Sequence, residues 1–436
     1  MSQSQQVEHT DSISSQDPAR EETKKTKSRR PANTAFRQQR LKAWQPILTP
    51  KTVLPLFFIV GLIFAPIGGL LLWADSKVQE LSIDYTGCSL GRDGKPGEAP
   101  ETTFDFDPNN RTLGDIDPKK VSSIFGNKKT TIKPQWGRTT QDLRWPSGHV
   151  QEGVNVCILS FTIPTDVKPP ILFYYRLDNF YQNHRRYVKS IDVEQLKGNA
   201  RDAGQIRSGD CEPLDVNSEG KPYYPCGLIA NSMFNDTFWN LSLNISNTQA
   251  NPDGSRGAES YQFTNEGIAW ESEGKLYQKT KYEKSAVVPP PNWRAQYPED
   301  GYATSGIPDL NKNEAFQVWM RTAGLPTFSK LAMRNDKDTM KFGTYRLAIF
   351  ENFPVEEYGG HKSILISTRT VMGGKNPFLG IAYLVVGGLC ILLGAIFLAT
   401  HLIKPRKLGD HTYLTWNNDQ PSTATTTGRS ARPGDA

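Results

Sequence analysis

The chain has 436 residues, a formal net charge of +6 and a negative mean hydropathy, so most of its mass is water-soluble. The charge is unevenly spread: residues 1–52 and 404–436 hold 15 of the 51 Lys and Arg but only 8 of the 45 Asp and Glu, leaving 36 and 37 between them. An excess confined to the two ends argues against a nucleic-acid-binding domain and fits membrane topology, with attraction to anionic lipid of about 1 kcal/mol per basic side chain near the surface.

Residues 1–32 are rich in Ser, Gln, Glu and Lys without an apolar period and are expected to be disordered. Residues 33–52 form a basic juxtamembrane segment in which Phe36, Leu41, Trp44, Ile47 and Leu48 suit a membrane face or a partner. Residues 53–73 carry no charged side chain and as a helix measure about 31 Å, the thickness of a bilayer core. A second uncharged run at 377–403 is followed at once by Lys404, Arg406 and Lys407. Basic flanks outside both runs predict two spans with cytosolic termini, placing residues 74–376 outside the cytosol as one ectodomain. The tail 404–436 is expected to be disordered from about residue 417. Two spans are too few for a channel or transporter built by this chain alone, so a transport role implies a partner.

In the ectodomain, residues 74 to about 148 are polar and rich in Gly and Pro and give no clear strand. Strands are predicted at 154–163, 171–177, 344–350 and 363–371, and one helix begins at an Asn311 cap with Glu314 three residues on and ends at Gly324. Its stripe of Phe316, Trp319 and Met320 reads as core packing. Residues 236–246 alternate cleanly, with Thr237, Trp239, Leu241, Leu243 and Ile245 on one face and Asp236, Phe238, Asn240, Ser242 and Asn244 on the other. Glycosylation sequons start at Asn110, Asn235, Asn240 and Asn244.

Cys390 falls in the second run, while Cys88, Cys157, Cys211 and Cys226 are an even number in an oxidising space, favouring two disulfides. Three pairings are possible. Closure of the shortest loop favours Cys211 with Cys226 and hence Cys88 with Cys157. The spans carry Gly61 and Gly68, and Gly380, Gly387 and Gly394, at two-turn intervals; such small residues let helices approach closely, either each other or a partner's helices.

Catalytic motifs are missing from the sequence. There is no HExxH, G-x-S-x-G or Walker loop, and the ectodomain histidines His149, His184 and His361 are too far apart in sequence to suggest a metal site. No metal or other cofactor is expected. The group His184, Arg185, Arg186 and Lys189 is the best candidate for an anion such as a lipid phosphate, against the plainer reading of ion pairs and stacking that fix a turn.

Several long blocks, among them NFYQNHRRYVKSID, CGLIANSMFNDT, GIAWESE, NEAFQVWMRTAGLPTFSKL, ENFPVEEYGGHKSILIST and GGKNPFLGIAYLVVGG, follow in an order that resembles the ligand-effect modulator 3 / cell division control protein 50 family from about residue 31 to about residue 415. Those proteins are noncatalytic beta subunits of type IV P-type ATPases, the lipid flippases. The resemblance implies two transmembrane helices with a mainly antiparallel β-sandwich ectodomain carrying helical and irregular insertions. It also implies a Cys211–Cys226 bridge, a glycan on Asn235, and a heterodimer with a catalytic alpha subunit that needs this chain for folding, ER exit and transport. Few cysteines before the first strand suggest a fungal-type member, in the ER and then in Golgi, endosomal or plasma membranes. Phe36, Trp44, the five span glycines and His184, Arg185 and Arg186 are the candidate partner contacts, alongside membrane lipids. The competing class is a membrane-anchored lumenal enzyme or cell-surface receptor.

Overall fold

The computed structural model describes residues 34–41, 49–89, 95–104, 112–125, 128–129, 131–239, 241–244, 259–370 and 373–405. Two helices, Pro50–Ser76 and Phe378–Ile403, are long and apolar enough to cross a membrane, and the chain is an integral membrane protein. The first helix extends a turn beyond the predicted span at each end.

Between them lie strands β1 (Glu80–Asp84), β2 (Gly114–Asp115), β3 (Val121–Phe125), β4 (Lys128–Lys129), β5 (Gln135–Arg144), β6 (Val150–Ile163), β7 (Ile171–Asp178), β8 (Thr237–Phe238), β9 (Leu241–Asn244), β10 (Glu259–Tyr261), β11 (Phe328–Asn335), β12 (Gly343–Phe350) and β13 (His361–Thr368). One sheet runs β11-β7-β13-β1-β3-β4, the other β10-β9-β12-β6-β5-β2, with β8 beside β12, and every paired strand is antiparallel. Alternate residues of both sheets meet in one core: Leu81, Ile83, Phe173, Ile364 and Ile366 from the first against Cys157, Leu159, Phe161, Tyr345, Leu347 and Ile349 from the second. This is a β-sandwich.

The region before residue 148, read as loop, contains β1 to β5. β5 pairs along β6 from Gln135 opposite Ser160 to Arg144 opposite Val150, although QWGRTTQDLR shows little apolar alternation. Its ladder is set by backbone bonds and by two buried anchors, Trp136 and Leu143. The second face of β6, with Val154, Val156 and Ile158, is covered by Leu143, Ala348 and Phe350, which explains why VNVCILSFTI is apolar at nearly every position.

On β7 the inward residues Ile171 and Phe173 join the sandwich core, whereas Tyr175 and Leu177 join a second core. That core is built by the insertions, with Tyr224, Trp293, Tyr302, Phe316 and Trp319 packed around it. Fully burying a side chain such as Phe316 contributes about 1.5–3 kcal/mol. The helix Glu314–Met320 supplies the predicted Phe316, Trp319 and Met320, but its cap is Asn313, whose Oδ1 accepts the Phe316 N–H at 3.0 Å. Asn311 instead donates to the carbonyls of Gly274 and Tyr277, and the helix stops at Met320.

The predicted strand 236–246 is two pieces. Leu241 and Leu243 point inward as expected, but Trp239 is exposed and Asp236, assigned to the solvent face, is buried. The polarity of the sandwich follows from its ends. β1 begins three residues after the first span and pairs Glu80 with Ser367; β13 pairs Thr368 with Ile171 and His361 with Asp178. The Ile171 end of β7 therefore faces the spans and its Asp178 end lies a strand's length away.

Candidate functional site

The five span glycines are the buried residues of their helices. A Cβ on Gly61 would stand 2.5 Å from Ile391 Cγ1, and one on Gly68 2.7 Å from the Leu384 nitrogen. On Gly380 it would stand 2.8 Å from Leu72 and on Gly387 2.8 Å from the Ala65 nitrogen, while Gly394 lies over Phe57 and Phe58. These glycines fit the sister helix, one of the two packings that their spacing left open, and the seam they form is already filled. Phe64 and Tyr383 extend it, with ring centroids 4.9 Å apart. A Cβ on Gly69 or Gly388 would meet nothing within 4 Å, and these are the glycines that leave an open approach to the pair.

His184, Arg185, Arg186 and Lys189 sit on and before the short helix Arg185–Lys189, which follows β7 at the end away from the spans. That position removes them from a lipid phosphate, the ligand proposed for them. All four are exposed, and among the described residues none has an ion-pair partner, so of the alternative, a turn fixed by ion pairs and stacking, the stacking is what the structure shows. The helix is fixed by Tyr187, packed edge-on to Phe180 and hydrogen-bonded through Oη to Ser232 Oγ at 2.8 Å. Neighbouring loop residues are tied on: Ala323 N–H donates to Gln182 Oε1 and Asn183 Nδ2 donates to the Gly324 carbonyl. Tyr181, Val188 and Leu325 add exposed apolar area to this cationic surface.

Beneath it the helix joins the second disulfide segment. Ser190 Oγ accepts from the Leu228 N–H, and Gln195 accepts from the Cys226 N–H while donating to the Tyr223 carbonyl. The structure pairs Cys211 with Cys226 and Cys88 with Cys157, Cα atoms 5.7 and 5.8 Å apart. Gly227 has φ +97°, and a Cβ there would lie 2.2 Å from the Ser190 carbonyl oxygen, so the CGLIA turn requires glycine.

Next to Cys88–Cys157 lies a charge cluster that sequence reading missed. Lys362 Nζ is 2.9 Å from Asp236 Oδ2 and 3.5 Å from Glu351 Oε2, all three side chains being buried. Asp236 also accepts from Tyr85 Oη and from the backbone N–H groups of Asn352 and Phe353, and Glu351 accepts from Ser89 Oγ. Burial pushes the Glu351 carboxyl up to about 7 against the pull of Lys362. Burial alone would lower the Lys362 ammonium, but Asp236 and Glu351 hold it above its ordinary value. Cys88, Cys157 and Glu351 bring ligand-type atoms within 4.8 Å of one another, but the sulfurs are joined in a disulfide and offer no thiolate. This is a structural lock.

Lys330 is the second unforeseen buried cation. Its Nζ donates to the carbonyls of Val318, Trp319 and Arg321, closing the C-terminus of the helix Glu314–Met320, and burial pulls its ammonium down to about 7.

Of the remaining candidates, Phe36 lies exposed in a turn at residues 35–39, and Trp44 lies outside the described residues. Asn235 is half-buried beside Asp236; Asn244 ends β9 opposite Thr344; Asn110 and Asn240 lie outside the described residues, as do residues 1–32 and the tail from 406. Among the described residues His149, His184 and His361 join no group of three metal-ligating side chains, and His361 lies 3.3 Å from Asp84.

Comparison with known proteins agrees with this architecture. Residues 71–407 match the LEM3 (ligand-effect modulator 3) family / CDC50 family. The chain is 41% identical over 396 residues to the phospholipid-transporting ATPase accessory subunit CRF1 of Saccharomyces cerevisiae, covering 91% of each chain. It is 41% identical over 400 residues to the accessory subunit CDC50 of Chaetomium thermophilum, covering 90% of this chain and 92% of the other. The cell cycle control protein 50A of Mus musculus is 39% identical over 390 residues, covering 85% and 89%. With two spans, a sandwich between them and a match over most of its length, this chain belongs to the LEM3/CDC50 family.

Proposed function

We propose that this chain is the noncatalytic accessory subunit of a phospholipid-transporting ATPase, forming a heterodimer with a catalytic type IV P-type ATPase. The observation that carries this is similarity at about 40% identity, over about nine tenths of the chain, to proteins named as accessory subunits of such ATPases. Two spans with an extensive folded ectodomain suit a subunit that embraces a partner rather than one that conducts lipid itself.

Basic flanks on the outer sides of both spans support cytosolic termini, and two disulfides with several sequons support a lumenal or extracellular ectodomain. Asn110, Asn235, Asn240 and Asn244 are the proposed glycan sites. The subunit promotes folding and ER exit of its ATPase, accompanies it to Golgi, endosomal or plasma membranes, and favours particular conformations of the cycle by binding them more tightly. The exposed surface of Tyr181, His184, Arg185, Arg186 and Leu325, with Phe36 and Trp44 on the cytosolic side, supplies partner contacts.

Affinity purification of the chain from detergent extract, followed by mass spectrometry, tests this. A stoichiometric P-type ATPase is expected; recovery of the chain alone, folded and turning over a substrate, would overturn the reading.

A further inference from the structure

At the span-facing end of the sandwich two connections, residues 164–170 between β6 and β7 and residues 336–342 between β11 and β12, are stitched into one knob. Val167 and Met340 exchange both backbone hydrogen bonds, at 2.8 and 2.9 Å, and bury their side chains against the core. Asn335 Oδ1 accepts the N–H groups of Lys337 and Asp338, and Asp166 Oδ1 accepts that of Phe342. On this rigid support Phe342 stands 71% exposed. In the two connections Lys168, Lys337 and Lys341 are exposed, as is Arg369 just past the end of β13. Lys168, Lys337 and Arg369 have no ion-pair partner among the described residues, whereas Asp336 is taken up by Arg334 at 2.7 Å and Asp338 accepts from Asn335 Nδ2.

The registers place this knob close to lipid. Gln79 N–H donates to Thr368 Oγ1, Thr368 is opposite Ile171, and Ile171 is opposite Asn335, so the ends of β13, β7 and β11 share one level. That level is three residues, at most about 11 Å of chain, beyond the first span. The 27-residue first span is itself about 40 Å long, longer than a bilayer core of about 30 Å, so its last turns already lie among headgroups. The two connections lie at these strand ends, on the side of the sandwich that faces that layer. An aromatic ring flanked by long cationic side chains is the chemistry of the membrane interface, where the ring sits at the headgroup level and the ammonium groups reach phosphates.

We propose that the Phe342 knob is an interfacial anchor, seated in the lipid headgroups of the ectodomain-side leaflet. The spans and the knob together then hold the sandwich at two separate places on the membrane. The site is independent of the identity of any protein partner.

The test uses the full chain in nanodiscs of phosphatidylcholine and phosphatidylserine, alone and with whatever partner co-purifies. In a Cys390→Ala background, a nitroxide is placed at Phe342→Cys, or at Leu325→Cys on the opposite end of the sandwich as a water-exposed reference. In the chain alone the label at 342 is expected to be several-fold less accessible to a water-soluble nickel chelate than that at 325, and more accessible to oxygen, and the accessibility of 342 is expected to stay the same when a partner is present. Hydroxyl-radical footprinting of the unsubstituted chain, comparing Phe342 with Leu325, gives the same contrast without a substitution. Equal nickel access at the two positions would overturn the proposal, and so would protection of 342 that appears only with a protein partner.

Discussion

Lys362 and Asp236, 126 positions apart in sequence, meet at 2.9 Å in the core with side chains 3% and 0% exposed. The pair bolts the first sheet, through β13, to the segment that precedes β8 in the second. Removing one partner leaves a buried charge unpaired, so Lys362→Met is expected to cost about 3–5 kcal/mol, and the double variant with Asp236→Asn appreciably less. Denaturant unfolding of the two forms checks this; equal losses would show that the charges are not coupled.

The pH dependence of stability follows from Glu351. Its folded-state pKa of about 7 exceeds the ordinary 4.5, so between these values the folded state keeps a proton that the unfolded chain releases. Stability therefore rises as pH falls from 7 toward 4.5, by on the order of 3 kcal/mol. Lys330, pulled down to about 7 from 10.5, adds stability as pH rises above 7 and gives no slope below it. Urea midpoints between about pH 5 and pH 7 should thus shift downward with pH in the native chain and flatten in Glu351→Gln.

The span seam predicts a sharp contrast between neighbours. Gly68→Leu and Gly387→Leu collide with Leu384 and Ala65 and should cost about 1–3 kcal/mol of helix pairing. Gly69→Ala and Gly388→Ala should leave it unchanged. Cysteine cross-linking between the spans reads pairing, and recovery of a co-purified partner tests whether the open side is used.

Replacing Cys211 and Cys226 by Ser removes a bridge across 15 residues, worth about 3 kcal/mol. Since Gln195 and Ser190 connect this loop to the helix Arg185–Lys189, faster amide exchange should reach that helix. Exchange confined to residues 208–227 would show that the helix is held independently.

Arg185→Glu with Arg186→Glu alters exposed side chains only, so stability should change by less than about 0.5 kcal/mol. Partner recovery should nevertheless fall. Unchanged recovery would remove this surface from the interface.

The spans were legible because an uncharged run of such length has few other uses, and β6, β7, β12 and β13 because β-branched and aromatic residues crowd there. β5 was not, since QWGRTTQDLR draws its order from ladder bonds with β6 rather than from burial. The direction of the glycines was open from spacing alone; Ile391, Leu384 and Leu72 decide it. Asp236 read as a solvent-face residue, and Lys330 and Lys362 carried no signal, because their partners are other stretches of chain. The interruption at Asp236–Trp239 has the same origin: the carboxylate turns inward to Lys362, and the alternation of the strand breaks around it.

The β1–β13 pairing also has a mechanical meaning. These adjacent strands lie at the middle of one sheet, β1 three residues after the first span and β13 nine residues before the second, and below them Asp75 accepts the Asn376 N–H at 2.6 Å, tying the two strand-to-span connections together. A tilt or twist imposed on the helix pair within the bilayer reaches the central strands through β1, three residues from the first span, and through the Asp75–Asn376 contact.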